Sequence, residues 1–247
     1  RGLGDVYKRQ EYGAPDFDKI KIEHYEPAFL KGIEEQNAEI KAIVESRETP
    51  GFENTIVALD NSGRTLARVK GVFYALTEAD TNDEMSALSE KIAPVLSEHN
   101  DNIYLNQDLY KRVAAVWQQE QEGKITLTTE QHRLLDRYYK AFIRSGAGLD
   151  AGKQNRLREI NKELSTLAIT FSNHILNENN AYRLVIDNEA ELAGLPEWVK
   201  TGAAEEAKAV GKEGKWLFTL QNSSRLPLLQ YADNRELRKD IYEAYIN

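Results

Sequence analysis

The spacing of apolar residues is the feature of this sequence that most restricts its fold, and residues 51–69, GFENTIVALDNSGRTLARV, show it well. From here the main apolar residues follow at steps of three, seven, three, four and three, at Ile56, Leu59, Leu66, Val69, Phe73 and Leu76. These steps match the period of an α-helix, whereas a half-buried strand requires alternation. We therefore predict one helix that is capped at Asn54 or Thr55, includes Gly63 and runs past Phe73.

A second interpretation of this stretch is a strand, a turn and another strand. Asp60, Gly63 and Thr65 would then form an Asp-x-x-Gly-x-Thr turn similar to the phosphate-binding loops of sugar kinases and actin-like ATPases. That motif is short and weakly specific. Because residues 56–59 are apolar or small without alternating, the helix is the favoured interpretation.

Composition limits the classes of function. The 247 residues suffice for one large or two small domains, and 32 Lys and Arg against 40 Asp and Glu give a net charge of -8, which disfavours a nucleic-acid partner. Without cysteine, the chain has no disulfide, thiolate metal site or cysteine nucleophile. No apolar run approaches the roughly 20 residues of a membrane helix. We expect a soluble protein without membrane contact, cytoplasmic or, as the alternative, periplasmic.

Residues 1–10, RGLGDVYKRQ, differ in composition from the rest, with three Arg or Lys, two Gly and no helical spacing of apolar residues. We interpret them as a foreign or processed leader, the alternative being a loosely held native terminus. They carry no expected chemistry.

Helical spacing continues from Glu26 to about residue 181. Pro27 suits the first turn of a helix, and Pro94 should bend a later one. The predicted apolar faces comprise Phe29, Leu30, Ile33, Ile40, Ile43 and Val44, then Met85, Leu88, Ile92 and Val95, then Leu109, Val113, Val116 and Trp117, then Leu134, Leu135, Tyr138, Phe142 and Ile143. The predicted helix ends are Asp83, Asn106, Thr128 with Gln131 as a capping box, and Gly146.

The longest predicted helix begins at Asp150. Its apolar residues have near-heptad spacing and are Leu157, Ile160, Leu164, Leu167, Phe171 and Ile175. Such spacing occurs where two helices pack lengthwise. We interpret this face as part of the protein core.

Strand character is confined to YRLVI (182–186) and KWLFTL (215–220), which can pair as an antiparallel ribbon. Between them a helix runs from Pro196 to near Gly211. A final helix, capped by Asp233, presents Leu237, Ile241 and Tyr245. The predicted fold class is mainly α, a multi-helix bundle of amphipathic helices with a small antiparallel β-ribbon near residues 182–220.

Candidate metal ligands are few. Of His24, His99, His132 and His174, none belongs to a His-Glu-x-x-His motif. His174 and Glu178 are one helical turn apart and could share a metal, but we interpret His174 as a residue at the core edge or on a solvated face.

Other catalytic signatures are missing as well. No Gly-x-Ser-x-Gly or glycine-rich phosphate loop occurs. Glu34, Glu35 and Glu39 form an acidic stripe that is typical of the solvent side of a helix. We assign no catalytic, cofactor-binding or metal-binding residue in this chain.

Four segments resemble the thimet oligopeptidase and peptidyl-dipeptidase family of zinc metallopeptidases, most strongly its bacterial dipeptidyl carboxypeptidase branch. They are HYEPAFLKGIEEQNAEIKAI, PGFENTIVALDNSGRTLARVKGVFYAL, LVIDNEAELAGLPEWVKTGAAEEAK and KWLFTLQNSSRLPLLQYADNRELRKDIYEAY. Their order agrees with the family, and the resemblance covers nearly everything after the first ten residues. It implies an almost wholly helical fold around a channel that admits short, unfolded peptides.

The resemblance also implies zinc, held by a His-Glu-x-x-His motif and a further Glu that are expected beyond Asn247. Residues 11–247 would then be the helical N-terminal region of an oligopeptidase, truncated before the catalytic zinc domain. We expect it to form a wall and cover of the channel and to be inactive alone, with short peptides and the missing C-terminal half as its partners. The alternative is a stand-alone helical binding or scaffolding protein without catalysis.

Overall fold

The computed structural model describes residues 15–247, so the predicted leader at residues 1–10 lies outside the described part. Two compact units divide the chain, with their boundary between Thr170 and Phe171. None of the described helices combines the length and the apolar character that crossing a lipid bilayer requires.

The first unit consists of helices joined by short turns. Two 3₁₀ turns, Phe17–Lys19 and Ile22–His24, precede α1, and a π-helical turn at Phe52–Val57 precedes α2. The helices are α1 (Tyr25–Val44), α2 (Ala58–Asn61), α3 (Arg64–Ala79), α4 (Asp83–Tyr104), α5 (Gln107–Gln121), α6 (Thr129–Arg144) and α7 (Ala151–Ala181), the last of which contains the unit boundary.

The second unit adds a two-stranded ribbon to further helices. Its elements are β1 (Leu184–Ile186), a 3₁₀ turn (Glu189–Leu192), α8 (Glu197–Ala209), β2 (Trp216–Phe218), α9 (Asn222–Tyr231) and α10 (Arg235–Ile246). The strands pair antiparallel, with Leu184 opposite Phe218 and Ile186 opposite Trp216. The predicted fold class is confirmed, and the ribbon is shorter than the two predicted segments.

Apolar side chains form two separate clusters in the first unit. One joins α1, α3 and α4, where Phe73 makes edge-on contacts with Tyr25 and Phe29 at ring distances of 5.1 and 5.3 Å. The other joins the 52–61 segment to α5 and α6, with Ile56 and Phe142 fully buried. Burying one large apolar side chain stabilises a fold by about 1.5–3 kcal/mol, so these clusters hold the helices together.

A third cluster lies inside the second unit. Ile186 and Phe218 from the ribbon pack with Leu192, Leu228 and Ile241 from the turn and helices around it. A two-stranded ribbon has little stability by itself. Its burial against these helices explains why a ribbon of only three residue pairs is stable.

Some helix ends agree with the prediction. Asn106 Oδ1 accepts a hydrogen bond from the Leu109 amide at 2.9 Å, and Asp150 Oδ1 accepts one from Lys153 at 2.9 Å. Thr128 and Gln131 form the predicted capping box.

Two predicted caps are wrong by one residue. Asn82, not Asp83, caps α4 by accepting from the Met85 amide at 2.9 Å, and Asn234, not Asp233, caps α10. The cap must have a non-helical backbone, and Asn82 is extended while Asp83 is already helical. Asp83 therefore lies in the first turn, where a negative charge favours the helix dipole.

The helical interpretation of residues 51–76 is confirmed, but the prediction of one uninterrupted helix is wrong. Ser62 is extended and Gly63 has a positive φ of 71°, so the chain breaks between α2 and α3. The predicted cap is also displaced, because the helical segment starts at Phe52 and Asn54 Oδ1 instead accepts from the Gly51 amide at 2.8 Å.

Helix α1 packs very closely on α3. A Cβ atom at Gly32 would lie 2.8 Å from the Leu66 Cα, so only glycine permits this approach. Leu30, which we predicted on the buried face, is instead 49% exposed. The contact with α3 thus uses a narrower face of α1 than the apolar spacing indicated.

We predict that Gly63→Ala destabilises the protein by about 1–3 kcal/mol, the usual cost of a left-handed backbone in a residue with a side chain. The added Cβ would also lie 2.4 Å from the Gln36 side chain. The measurement is the free energy of unfolding in urea.

The matched control is Gly71→Ala within α3, where a new Cβ meets nothing within 4 Å. We expect this change to stabilise the protein by about 0.5–1 kcal/mol, because alanine favours a helix interior over glycine. Equal effects of the two substitutions would contradict the described break.

Candidate functional site

The predicted candidate metal pair, His174 and Glu178, lies on α7, and both residues are exposed. The core-edge interpretation of His174 is therefore wrong, and the solvated-face alternative is correct. Among residues 15–247, no group of three or more His, Asp or Glu side chains is arranged to hold a metal ion.

Two other histidines make local hydrogen bonds. His24 Nδ1 accepts from the backbone amide of Lys21 at 3.1 Å, just ahead of α1. His132 Nδ1 lies 2.8 Å from Glu120 Oε1, which links α6 to α5. Each imidazole contacts a single partner residue, and this hydrogen bond has a local structural role.

His99 is different because it is buried, at 5% exposure, and belongs to a polar chain between helices. Its Nε2 lies 2.7 Å from Gln36 Oε1, and Gln36 Nε2 donates to Ser62 Oγ at 3.2 Å. Since Gln36 Oε1 can only accept, His99 Nε2 must carry the proton. His99 Nδ1 is then an unprotonated, buried nitrogen with no hydrogen-bond partner in the described structure.

This polar chain meets the break between α2 and α3. Ser62 Oγ donates to the Leu59 carbonyl at 2.7 Å, and the Gly63 amide donates to Glu39 Oε2 at 2.7 Å. Glu39 is therefore more than a solvent-facing member of the predicted acidic stripe, because it satisfies a backbone group that the break leaves without a helical partner.

The alternative phosphate loop is excluded by the same geometry. The Gly63 amide, which a phosphate would need, is already bonded to a carboxylate. Asp60 accepts hydrogen bonds from Tyr138 Oη at 2.8 Å and Arg137 Nη2 at 3.2 Å. Burial, followed by the bond to Asp60, raises the pKa of Tyr138 well above its usual range, so the phenol stays protonated.

A polar cleft of about 530 Å³ lies beside α4, the end of α6 and α7. At its wall Asp101 is only 5% exposed, and Asn161 Nδ2 donates to its Oδ1 at 2.8 Å. Burial raises the pKa of Asp101, while the Asn161 bond and the charge of Arg158 act in the opposite direction. Arg144 lines the same cleft.

Sequence reasoning did not identify Asp101 or Asn161. The surrounding residues, SEHNDN at 97–102, are polar and indicate a solvent face. Only the packing of α7 beside α4 brings Asn161 to Asp101, 60 residues away in sequence. No local sequence pattern predicts such a hydrogen bond.

The apolar face of α7 is exposed, and its prediction as core is wrong. Ile160, Leu164, Leu167, Phe171 and Ile175 are exposed, with Phe171 reaching 66%, and no residue of α7 is buried. Contiguous exposed apolar side chains mark interaction surfaces in many proteins. We call these five residues the α7 stripe.

Comparison with known proteins identifies relatives of this chain. The chain is 39% identical over 233 residues to dipeptidyl carboxypeptidase of Escherichia coli (strain K12) and 40% identical over 233 residues to that of Salmonella typhimurium; both alignments cover 94% of this chain. It is also 32% identical over 234 residues to oligopeptidase A of Salmonella typhimurium, covering 95% of the chain. No model of a known protein family matches.

These relatives are named as peptidases, and the similarity extends over nearly the whole chain. Dipeptidyl carboxypeptidase and oligopeptidase A are homologues of this chain over nearly its whole length, as the four sequence segments indicated. It spans only about a third of the length of these relatives, 34% in each case.

We predict that replacing Leu167 and Phe171 by Glu reduces the fluorescence of a bound hydrophobic dye, because the two residues are exposed by 54% and 66%. Helical content by circular dichroism should be unchanged. Asn177→Glu, which adds a charge at an exposed polar position of α7, is the control. Unchanged dye binding in the double variant would show that the α7 stripe is not the accessible apolar surface.

We predict that His99 makes stability depend on pH. Burial, followed by the charge of Lys70, lowers the pKa of His99, so the unfolded chain binds the proton more readily than the folded protein. The contribution of neutral His99 is then fully present above the unfolded pKa of about 6.5 and is lost as pH falls from there toward the folded pKa.

The measurement is urea unfolding at several values between about pH 7.5 and 5, a range centred on the histidine pKa. On acidification, the free energy of unfolding of His99→Gln should decrease less than that of the unsubstituted protein. His174→Gln controls for removing an exposed imidazole. Parallel curves for the protein and His99→Gln would contradict the role of the buried ring.

Proposed function

We propose that this chain is part of a zinc-dependent oligopeptidase of the peptidyl-dipeptidase type, which cleaves short peptides. Within it, the chain would correspond to the helical N-terminal region and form a wall and cover of the substrate channel. The observation that carries this proposal is the 39% identity to dipeptidyl carboxypeptidase across 94% of the chain.

Zinc does not fit the residues described here. A catalytic zinc takes three protein ligands, and residues 15–247 bring no such set together. The proposal therefore places zinc, and the activation of water, on polypeptide outside the described residues. The role left for this chain is to bind and confine the peptide and to contact the catalytic part.

The α7 stripe supports that contact. An apolar row along a helix of 31 residues is the kind of surface that another helix or domain covers. Covering it would remove from water the side chains that are exposed in this chain alone, Phe171 above all.

We further propose a cytoplasmic location, with short peptides and the catalytic part as partners and with neither nucleic acid nor a membrane among them. The name of one relative, probable cytosolic oligopeptidase A of Arabidopsis thaliana, which is 26% identical over 244 residues, supports the location. The net charge of -8 disfavours phosphate-backbone binding.

The proposed function predicts that the purified chain alone gives no chelator-sensitive cleavage of a short quenched fluorescent peptide when zinc is added. Metal-assisted hydrolysis near neutral pH needs a metal-activated water, and the described residues assemble no set of ligands that could hold the metal. Mixing the chain with the part of Escherichia coli dipeptidyl carboxypeptidase that the alignment leaves unmatched should give cleavage.

The controls are that unmatched part alone and the mixture with a chelator. Chelator-sensitive cleavage by the chain alone would overturn the placement of the zinc site. A mixture no more active than the unmatched part would instead favour a stand-alone binding or scaffolding protein.

A further inference from the structure

The polar cleft beside α4, α6 and α7 combines charges of both signs. Asp101 and Arg144 both line it, in a volume of about 530 Å³. Volumes of about 300–1,000 Å³ are typical of small-molecule sites. The cleft contains no histidine, so it is not a remnant of the zinc chemistry expected of the family.

Asp101 presents the negative side of the cleft. It is 95% removed from solvent, since only 5% is exposed, and its one described hydrogen-bond donor is the neutral amide of Asn161. The Asn161 bond and the nearby charge of Arg158 offset the burial of this carboxylate only in part, because its pKa stays raised. An ammonium group on a ligand supplies both the charge and the hydrogen-bond donors that such a carboxylate needs.

Arg144 presents the positive side. It is exposed in the last turn of α6, and within residues 15–247 no hydrogen bond or ion pair engages its guanidinium. A guanidinium in this state is free to bind a carboxylate through two parallel hydrogen bonds. Its positive charge also interacts favourably with the negative, C-terminal end of the α6 dipole, and this interaction requires no partner side chain.

The rest of the lining suits a peptide-like molecule. Leu157 provides an apolar surface, and the hydroxyls of Ser97, Ser145 and Ser165 provide donors and acceptors for an amide group. A small number of polar groups on an apolar wall is the usual composition of a specific small-molecule site.

We propose that this cleft binds a free amino acid or dipeptide in its zwitterionic form. The ligand's ammonium group lies at Asp101, its carboxylate at Arg144, and an apolar side chain against Leu157. This inference goes beyond the proposed function, because binding here needs neither zinc nor cleavage and concerns a site within the first unit alone.

The test is isothermal titration calorimetry of the full chain with glycyl-leucine, expected to bind in the millimolar range. N-acetylglycyl-leucine, which lacks the ammonium group, and glycyl-leucine amide, which lacks the carboxylate, should each bind about tenfold or more weakly, as expected for losing one charge-assisted hydrogen-bonding group. No peptidase assay is involved, so failure of this proposal and failure of the proposed function are separable.

Variants assign the two ends of the ligand. Asp101→Asn keeps an oxygen that can accept from Asn161 and should abolish the preference for a free ammonium group. Arg144→Gln should abolish the preference for a free carboxylate. Arg133→Gln, an exposed arginine on α6 outside the cleft, should bind glycyl-leucine like the unsubstituted chain.

Circular dichroism and thermal unfolding establish that each variant is folded, and Arg144→Gln, at an exposed position, serves if Asp101→Asn does not fold. No detectable binding of glycyl-leucine, equal binding of the blocked peptides, or equal loss in Arg133→Gln and Arg144→Gln would each overturn the proposal.

Discussion

The break between α2 and α3 is the constraint on which much of the first unit depends. At Gly63 the backbone takes a left-handed conformation. Two side chains of α1 bond to Gly63 or to its neighbour Ser62, and a third side chain, from α4, bonds to one of these two. Glu39 accepts the Gly63 amide, Gln36 donates to Ser62, and His99 bonds to Gln36 from α4. One turn in the chain thus links α1, α3 and α4 through polar contacts.

The break at Gly63 also affects how apolar residues are divided between the two clusters of the first unit. Ile56 and Leu59, before the break, belong to the cluster that includes α5 and α6, while Leu66 and Phe73, after it, belong to the other cluster. Helices α1 and α4 contribute residues to both clusters. A continuous helix would have kept one straight apolar face across all of them. The break allows successive apolar residues to enter different clusters.

Much of the fold could be predicted from apolar spacing, because helical period, turn signals and caps are local properties. The helices, the capping box at Thr128 and the pairing of the ribbon all follow from such patterns. The break at Gly63 could not, since it depends on groups from α1 and α4 that are remote in sequence. Likewise, spacing predicts that the α7 stripe is apolar but says nothing about whether a neighbour covers it.

The candidate sites show the same limit. The missing His-Glu-x-x-His motif could be recognised from the sequence, as could the resemblance to the peptidase family that similarity over 94% of the chain confirms. The bond between Asn161 and Asp101 could not, because two exposed-looking polar residues 60 positions apart carry no local signal. The resemblance to the peptidases is therefore visible in the sequence, whereas the polar cleft is visible only in the packed structure.

We propose that this chain is part of a peptidase whose zinc is held outside the described residues. Titrating zinc into the purified chain by calorimetry, and then into its mixture with the unmatched part of Escherichia coli dipeptidyl carboxypeptidase, tests it most directly. We expect no stoichiometric zinc binding by the chain alone and stoichiometric binding in the mixture. One zinc bound per isolated chain, lost when His174 is replaced by Ala, would contradict it.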